Sequence, residues 1–221
     1  MNSLVVLSHP EPSSFAAALA RTAAEVLDGT LLDLYREEFD PRLSAADFTE
    51  RANTERLEPM AEHLHAVETG TLAPDIARHV ELLRAADLLV MVQPMWWFSL
   101  PAMAKGWIDR TFVNGYAYCY PGPPPWLGPL NEKRALTVFT SSYEASDYGN
   151  GGRMRTVEDV LYPLLWGTLA YTGMQVLAPF MAYAADSVDD AARRGYLDEL
   201  RARLADVESE APLDFAAENG R

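Results

Sequence analysis

The sequence predicts an α/β domain built on one parallel five-stranded sheet, with helices covering both faces. Short apolar runs alternate along the chain with amphipathic helical stretches, which is the pattern of a doubly wound sheet. The chain has 221 residues, of which 49% are hydrophobic, so it can bury one substantial core. We therefore expect a single domain over residues 1–207, with the strands in the order 2-1-3-4-5.

The first third of the chain supplies two strands, one helix and one irregular region. Residues 4–7 are a short apolar run, and the Ala-rich stretch 16–27 has the spacing of an amphipathic helix. Residues 31–34 are a second short strand. Segment 36–71 is polar and has no strand-like run, so we expect an irregular excursion of turns with room for a short helix.

Strand and helix patterns continue to alternate through the middle of the chain. Residues 75–86 have helical spacing and lead into the apolar strand 88–92. Residues 101–112 follow as a helix, because Pro101 suits a first helical turn. After a segment rich in proline and glycine, residues 135–139 predict a strand and residues 140–152 a loop.

The last third completes the alternation. Residues 157–173 predict a helix that ends at a glycine, 175–180 a fifth strand and 189–207 a closing helix. The complete arrangement is similar to the flavodoxin-like fold. We expect residues 208–221 to form a weakly ordered tail.

Composition excludes several classes of function. A net charge of −14 opposes binding to nucleic acid or to an anionic membrane, and no window has the roughly 18 apolar residues of a membrane span. Cys119 is the only cysteine, which rules out an intramolecular disulfide. The spacing of the four histidines does not favour a metal site. We expect a cytoplasmic protein without a bound metal, because the amino terminus also lacks the features of a signal peptide.

The segment QPMWWFSLPAMAKGWIDR, residues 93–110, is the most informative part of the chain. It places Trp96, Trp97 and Phe98 where the third strand ends and a helix begins. In doubly wound folds the carboxyl ends of the strands bind ligands, so these aromatic residues predict a platform for a planar ring system. The alternative from the residues alone is a hydrophobic lid or a dimer contact.

The segment after the first strand, SHPEPSSF at residues 8–15, opens a helix without the GxGxxG pattern of a dinucleotide site. Ser13, Ser14 and the amides around Phe15 could instead hold a pyrophosphate, because N–H groups of a first helical turn have no intrahelical partners. Ordinary capping of the helix by Ser13 or Ser14 is the alternative.

Together these two segments and GYAYCY, residues 115–120, resemble the NAD(P)H:quinone oxidoreductase family. The resemblance runs from residue 1 to about 205. It implies a flavodoxin-like homodimer that carries one non-covalent flavin per subunit. It also implies reduction of quinones or similar acceptors by NADPH or NADH, through hydride transfer in a ping-pong cycle. We expect FAD, since the first loop resembles that of FAD-binding members, although the same chemistry permits FMN.

The resemblance assigns roles to individual residues. For the flavin phosphate and ribityl region it assigns His9, Ser14 and Phe15. For the isoalloxazine ring it assigns Pro94, Met95, Trp96, Trp97 and Phe98. It places Tyr118 and Tyr120 beside the substrate cavity, contributed from the dimer partner, where they could stack on the acceptor or donate to its developing oxyanion. It places Arg193 near the adenosine end.

The sequence departs from the family after the fourth strand. Many members have a TTGG-like loop there, whereas this chain has Thr140, Ser141, Ser142, Tyr143 and Glu144. Ser141, Ser142 and local amides could still donate to the pyrimidine side of the flavin, while Tyr143 or Glu144 would narrow the pocket.

A histidine found in some animal members also has no counterpart here, since Met154 falls near its place. We therefore expect tyrosine hydroxyls, backbone amides and water to supply the proton transfers and hydrogen bonds of the reaction.

Three other functions fit the same residues. One is a nitro- or azoreductase, or a reductase for a single pathway intermediate, which the altered fourth loop would favour. Another is a regulatory flavoprotein subunit of a membrane transporter. The third is a structural protein that binds no flavin.

Overall fold

A computed structural model describes residues 1–215, and the remaining positions of the predicted tail, 216–221, lie outside the described residues. The strands are β1 (Ser3–Leu7), β2 (Thr30–Asp33), β3 (Leu88–Pro94), β4 (Arg134–Thr140), β5 (Gln175–Val176) and β6 (Phe180–Ala182). The helices are α1 (Phe15–Val26), α2 (Pro59–Thr69), α3 (Pro74–Ala85), α4 (Ala102–Thr111), α5 (Val157–Leu164) and α6 (Asp190–Ala205).

The described strands form one parallel sheet in the order β2-β1-β3-β4-β5, which confirms the predicted fold class and strand order. Successive side chains of β1 point to opposite faces. Leu4 and Val6 belong to the core that includes α3 and α4, whereas Val5 and Leu7 belong to the core that includes α1 and α6. Because both faces are covered, β1 and β3 are buried over their whole length.

The fifth strand of the prediction is divided in two. β5 and β6 both pair in parallel with β4, and residues 177–179 separate them. Pro179 has no N–H to donate to the sheet, which explains why regular pairing stops there.

The helix predicted over residues 157–173 is regular only in its first half. After α5, which contains Pro163, the chain continues as a π turn, Leu165–Leu169, and a 3-10 turn, Ala170–Thr172. It ends at Gly173, whose φ of 92° is in the left-handed region. A side chain there would lie 2.8 Å from the carbonyl oxygen of Trp126, so this position requires glycine.

Segment 36–71 contains the 11-residue helix α2 and is held to α4 by a buried ion pair. Arg110 donates to both carboxylate oxygens of Asp47, at 2.9 and 3.2 Å. Gly106 permits this close packing, because a Cβ there would lie 2.1 Å from the carbonyl oxygen of Pro41.

The described part of the predicted tail lies against the sheet. Leu213 donates its N–H to the carbonyl of Val176 in β5, at 2.8 Å. Arg203 of α6 forms an ion pair with Glu210. No helix within residues 1–215 combines the length and the apolar character needed to cross a membrane.

Candidate active site

The loops that follow β1, β3, β4 and β6 meet at the carboxyl edge of the sheet, where doubly wound folds bind their ligands. A polar cleft of about 610 Å³ opens there between the first turns of α1 and α6. The predicted site residues that line this cleft include His9, Ser13, Ser14, Phe15 and Arg193.

On the α1 side the loop after β1 is fixed by its own hydrogen bonds. Nδ1 of His9 accepts from the N–H of Glu11 at 3.0 Å, so the proton of the neutral ring is on Nε2. Hydrogen bonds from Ser13 lower the pKa of Glu11. Ser14 caps α1 by accepting from the N–H of Ala17, and the free N–H groups of the first turn remain available to an anion.

On the α6 side the cleft has charged residues of both signs. Arg193 donates through Nη2 to the carbonyl of Ala185, at 3.2 Å, and pairs through Nη1 with Asp190. Its Nε is buried and has no hydrogen-bond partner among the described residues. Asp186 and Arg194 also line this side, and the sequence reasoning missed both residues.

The loop after β3 adopts a strained turn. Ser99 donates its N–H to the carbonyl of Trp96 at 3.0 Å, and the two residues between them, Trp97 and Phe98, have φ values of 53° and 58°. Aromatic residues in the left-handed region cost on the order of 1–3 kcal/mol each. Because Trp97 is also 96% exposed, its own packing does not offset this cost.

The same turn contacts the loops on both sides of it. The rings of Trp96 and His9 have centroids 6.2 Å apart, which joins the turn to the loop after β1. Phe98 stacks on Tyr143 of the loop after β4, with centroids 5.9 Å apart and planes at 17°. The sequence predicts the aromatic loop, but not these partners.

The loop after β4 directs its two serine hydroxyls towards protein groups. Ser141 is buried, and its Oγ lies 3.1 Å from Oη of Tyr148 and accepts from the N–H of Tyr143. Ser142 donates its hydroxyl to Asp186. Among the described residues, the N–H of Ser142 has no hydrogen-bond partner, so it remains available to a ligand.

Tyr148 is a residue that the sequence reasoning missed. Its hydroxyl lies between the loops after β3 and β4, within hydrogen-bonding reach of Ser141 and of Sδ of Met95. Burial raises the pKa of Tyr148, so the hydroxyl keeps its proton at neutral pH. A tyrosine within an irregular, glycine-rich loop has no periodicity that could have identified it.

Tyr118 and Tyr120 are not brought to this cleft within the chain. They line a second, largely apolar cavity of about 530 Å³ beside α4 and the π turn, and the two cavities share no lining residue. Asn114 fixes the backbone of Tyr120 by accepting from its N–H and donating to its carbonyl, both at 2.7 Å. Burial raises the pKa of Tyr118.

Pro94 ends β3, and Met95 continues the pairing by donating its N–H to the carbonyl of Thr140. Within residues 1–215, no group of three or more acidic, histidine or cysteine side chains could hold a metal ion.

The sheet order and the cleft at the carboxyl edge define a protein of the flavodoxin-like class. Residues 1–204 match the protein family described as having a flavodoxin-like fold. The NAD(P)H dehydrogenase (quinone) 1 of Rattus norvegicus is 35% identical over 219 residues, which cover 96% of this chain and 80% of that protein. The chain therefore belongs to the family of NAD(P)H:quinone oxidoreductases.

Two further proteins support this membership. The human ribosyldihydronicotinamide dehydrogenase (quinone) is 33% identical, with 97% of this chain and 95% of that protein covered. A crystal structure from Klebsiella pneumoniae, whose proposed identity is a quinone reductase, superimposes with a TM-score of 0.87 at 31% identity. That match covers 96% of this chain and 86% of the other chain.

Proposed function

We propose that this protein binds one flavin at the carboxyl edge of its sheet and uses NAD(P)H to reduce quinone-like acceptors. The observation that carries the proposal is the strained turn with Trp97 and Phe98 beside a polar cleft. A backbone held at this cost, with its aromatic side chains half-exposed or fully exposed, points to a binding function rather than to core packing.

The residues of the cleft fit the phosphate part of a flavin. The first turn of α1, Nε2 of His9 and the unpartnered Nε of Arg193 all offer hydrogen bonds to an anion. The cleft continues past α1 to Arg193 and Arg194 on α6, which supports FAD over the shorter FMN. The flavin ring would lie along the turn at residues 94–98.

A bound flavin supplies two-electron redox chemistry between NAD(P)H and the acceptor in two separate half-reactions. The chain itself supplies position and polarity. The free N–H of Ser142 can stabilise negative charge at the ring edge, as preorganised donors do in other active sites. The hydroxyl of Tyr148 can donate a hydrogen bond or a proton beside the same loops.

The position of Tyr118 and Tyr120 supports a homodimer. If both border the acceptor, they must do so across a subunit boundary, because their cavity is separate from the cleft within one chain. Exposed apolar side chains lie in the lining of this cavity or close to it in sequence, and they form an apolar patch, defined as Tyr120, Trp126, Leu127, Trp166 and Tyr171. Such a patch is typical of a protein interface.

Leu127→Glu tests the dimer. The introduced charge should shift the protein from dimer to monomer in sedimentation, while Leu31→Glu, an exposed leucine on β2 outside the patch, should leave the dimer intact. A wild-type protein that sediments as a monomer would refute the shared site.

A cytoplasmic location is part of the same proposal, since the single cysteine, Cys119, is compatible with a reducing compartment.

An absorption spectrum of the purified protein tests the central proposal. We expect flavin bands that bleach when NADPH or NADH is added without oxygen and return when menadione follows. The donor that bleaches them faster identifies the preferred nicotinamide. Failure of both FAD and FMN to bind would refute the proposal and leave the turn as a packing or partner surface.

A further inference from the structure

Phe98 and Tyr143 form an exposed aromatic pair that joins the loops after β3 and β4. Their rings are stacked, yet the two residues are 40% and 44% exposed. Both rings therefore remain accessible to a ligand, and hydrophobic burial alone does not account for their position.

The backbone around Tyr143 and the backbone around Phe98 are each fixed by hydrogen bonds. Tyr143 donates its N–H to Oγ of Ser141 at 3.1 Å and accepts at its carbonyl from the N–H of Ala184 at 2.9 Å. Phe98 is held in the left-handed region by the turn that Trp96 and Ser99 close. Backbone hydrogen bonds beside both residues therefore orient the two rings.

The pair lies on one side of the proposed ring site. The turn after β3 sends Trp96 towards the loop after β1 and Phe98 towards the loop after β4. Since β3 lies between β1 and β4 in the sheet, the two contacts bound the turn on opposite sides. On the β4 side, the loop that carries Ser141 and Ser142 also carries Tyr143, whose ring stacks on Phe98. A glycine at position 143 would place no ring beside the turn.

We propose that the Phe98–Tyr143 pair is a side wall of the acceptor site and selects planar acceptors of one or two fused rings over wider ones. This inference rests on the proposed function and specifies its substrate class. A rigid wall discriminates by excluding volume, because a wide acceptor can approach the ring site only by displacing one of the two side chains.

The test compares two acceptors in the full-length protein loaded with its flavin. Menadione has two fused rings and 9,10-phenanthrenequinone has three. Tyr143→Ala should raise kcat/KM for the three-ring acceptor, relative to menadione, by about 10-fold. Tyr143→Phe keeps the ring and should preserve the wild-type ratio. Tyr35→Ala, a tyrosine outside both cavities, is the matched control and should also preserve it.

Phe98→Ala provides an independent second variant and should change the ratio in the same direction. In the double variant, the ratio of kcat/KM for the three-ring acceptor to that for menadione should rise by less than the product of the two single increases. This is expected because both side chains belong to one wall.

A ratio within twofold of wild type in both alanine variants, with menadione turnover retained, would overturn the inference and leave the proposed function standing. A wild-type protein that binds flavin but does not oxidise NADPH or NADH would overturn both.

Discussion

The two cavities of this chain differ in chemistry and in how they are built. The cleft at the carboxyl edge of the sheet is lined by serines, His9 and charged residues of α6, and backbone turns shape it. The second cavity is lined by aromatic residues and prolines, together with residues of α2, α4 and the π turn. One is suited to an anionic cofactor, and the other to an apolar ligand or a protein surface.

The two cavities therefore keep their shapes through different kinds of interaction. The cleft depends on local hydrogen bonds that each loop makes for itself. The apolar cavity depends on long-range packing, since Met60 of α2 and Ile108 of α4 are both among its lining residues. Substitutions that disturb one of these two regions should therefore leave the structure and ligand binding of the other largely unchanged.

The largest effect is expected from Arg110→Met. This change leaves Asp47 as a buried carboxylate without its cation, which should lower the free energy of unfolding by about 3–5 kcal/mol. Urea denaturation measures this loss. Lys105→Met removes an exposed ion pair on the same helix and should cost less than about 1 kcal/mol.

Flavin affinity of the folded Arg110→Met variant should be unchanged, because Arg110 contacts segment 36–71 and α3 rather than the cleft. A large loss of affinity would show that the two regions are coupled.

Arg193→Gln should weaken flavin binding about 10-fold, equivalent to about 1.4 kcal/mol, because it removes a positive charge from the cleft. Arg201→Gln is the control, since Arg201 lies on the same helix and pairs with Asp198 at the surface. Titration of the apoprotein followed by fluorescence gives both affinities. Equal affinities would remove Arg193 from the cofactor site.

Trp97→Asn should raise the free energy of unfolding by about 1 kcal/mol while lowering turnover. Asparagine tolerates the left-handed region better than tryptophan, and almost no packing is lost at this exposed position. Trp126→Asn, at a half-exposed position that does not have positive φ, should give no such gain. If Trp97→Asn is no more stable than wild type, the turn does not store strain.

The smallest effect is expected in the pH dependence of stability near α2. Burial lowers the pKa of His63 from its usual value of 6.5, and Asp47 opposes this shift only in part. The unfolded chain therefore takes up a proton first as the pH falls below about 6.5, which favours unfolding. Stability should fall between pH 7 and 5.

His63→Gln should lose less stability over this range than wild type, and His65→Gln should follow wild type. Parallel curves for all three proteins would show that His63 does not contribute to the pH dependence.

Much of the fold was predictable because periodicity is a local property of the sequence. The short apolar runs at residues 4–7 and 88–92 predict strands that are buried on both faces, as β1 and β3 are. The division of the fifth strand at Pro179 and the π turn after Pro163 were missed, since proline effects depend on the neighbouring strand or helical turn.

The candidate site was predictable only in part. The loops containing His9 and Trp96 were found because parallel strands place their carboxyl ends at one edge of the sheet. Tyr148 was missed, since its contacts with Ser141 and Met95 come from folding and not from spacing.

The sequence by itself determined the order of the elements, the parallel sheet and the position of the aromatic loop, because hydrophobic period and turn chemistry act over a few residues. Only the tertiary structure decided that Phe98 meets Tyr143, that the turn at Trp97 is left-handed, and that Tyr118 lies in a separate cavity. These features depend on residues brought together from distant parts of the chain, and the packing of the whole domain selects among the local conformations that the sequence allows.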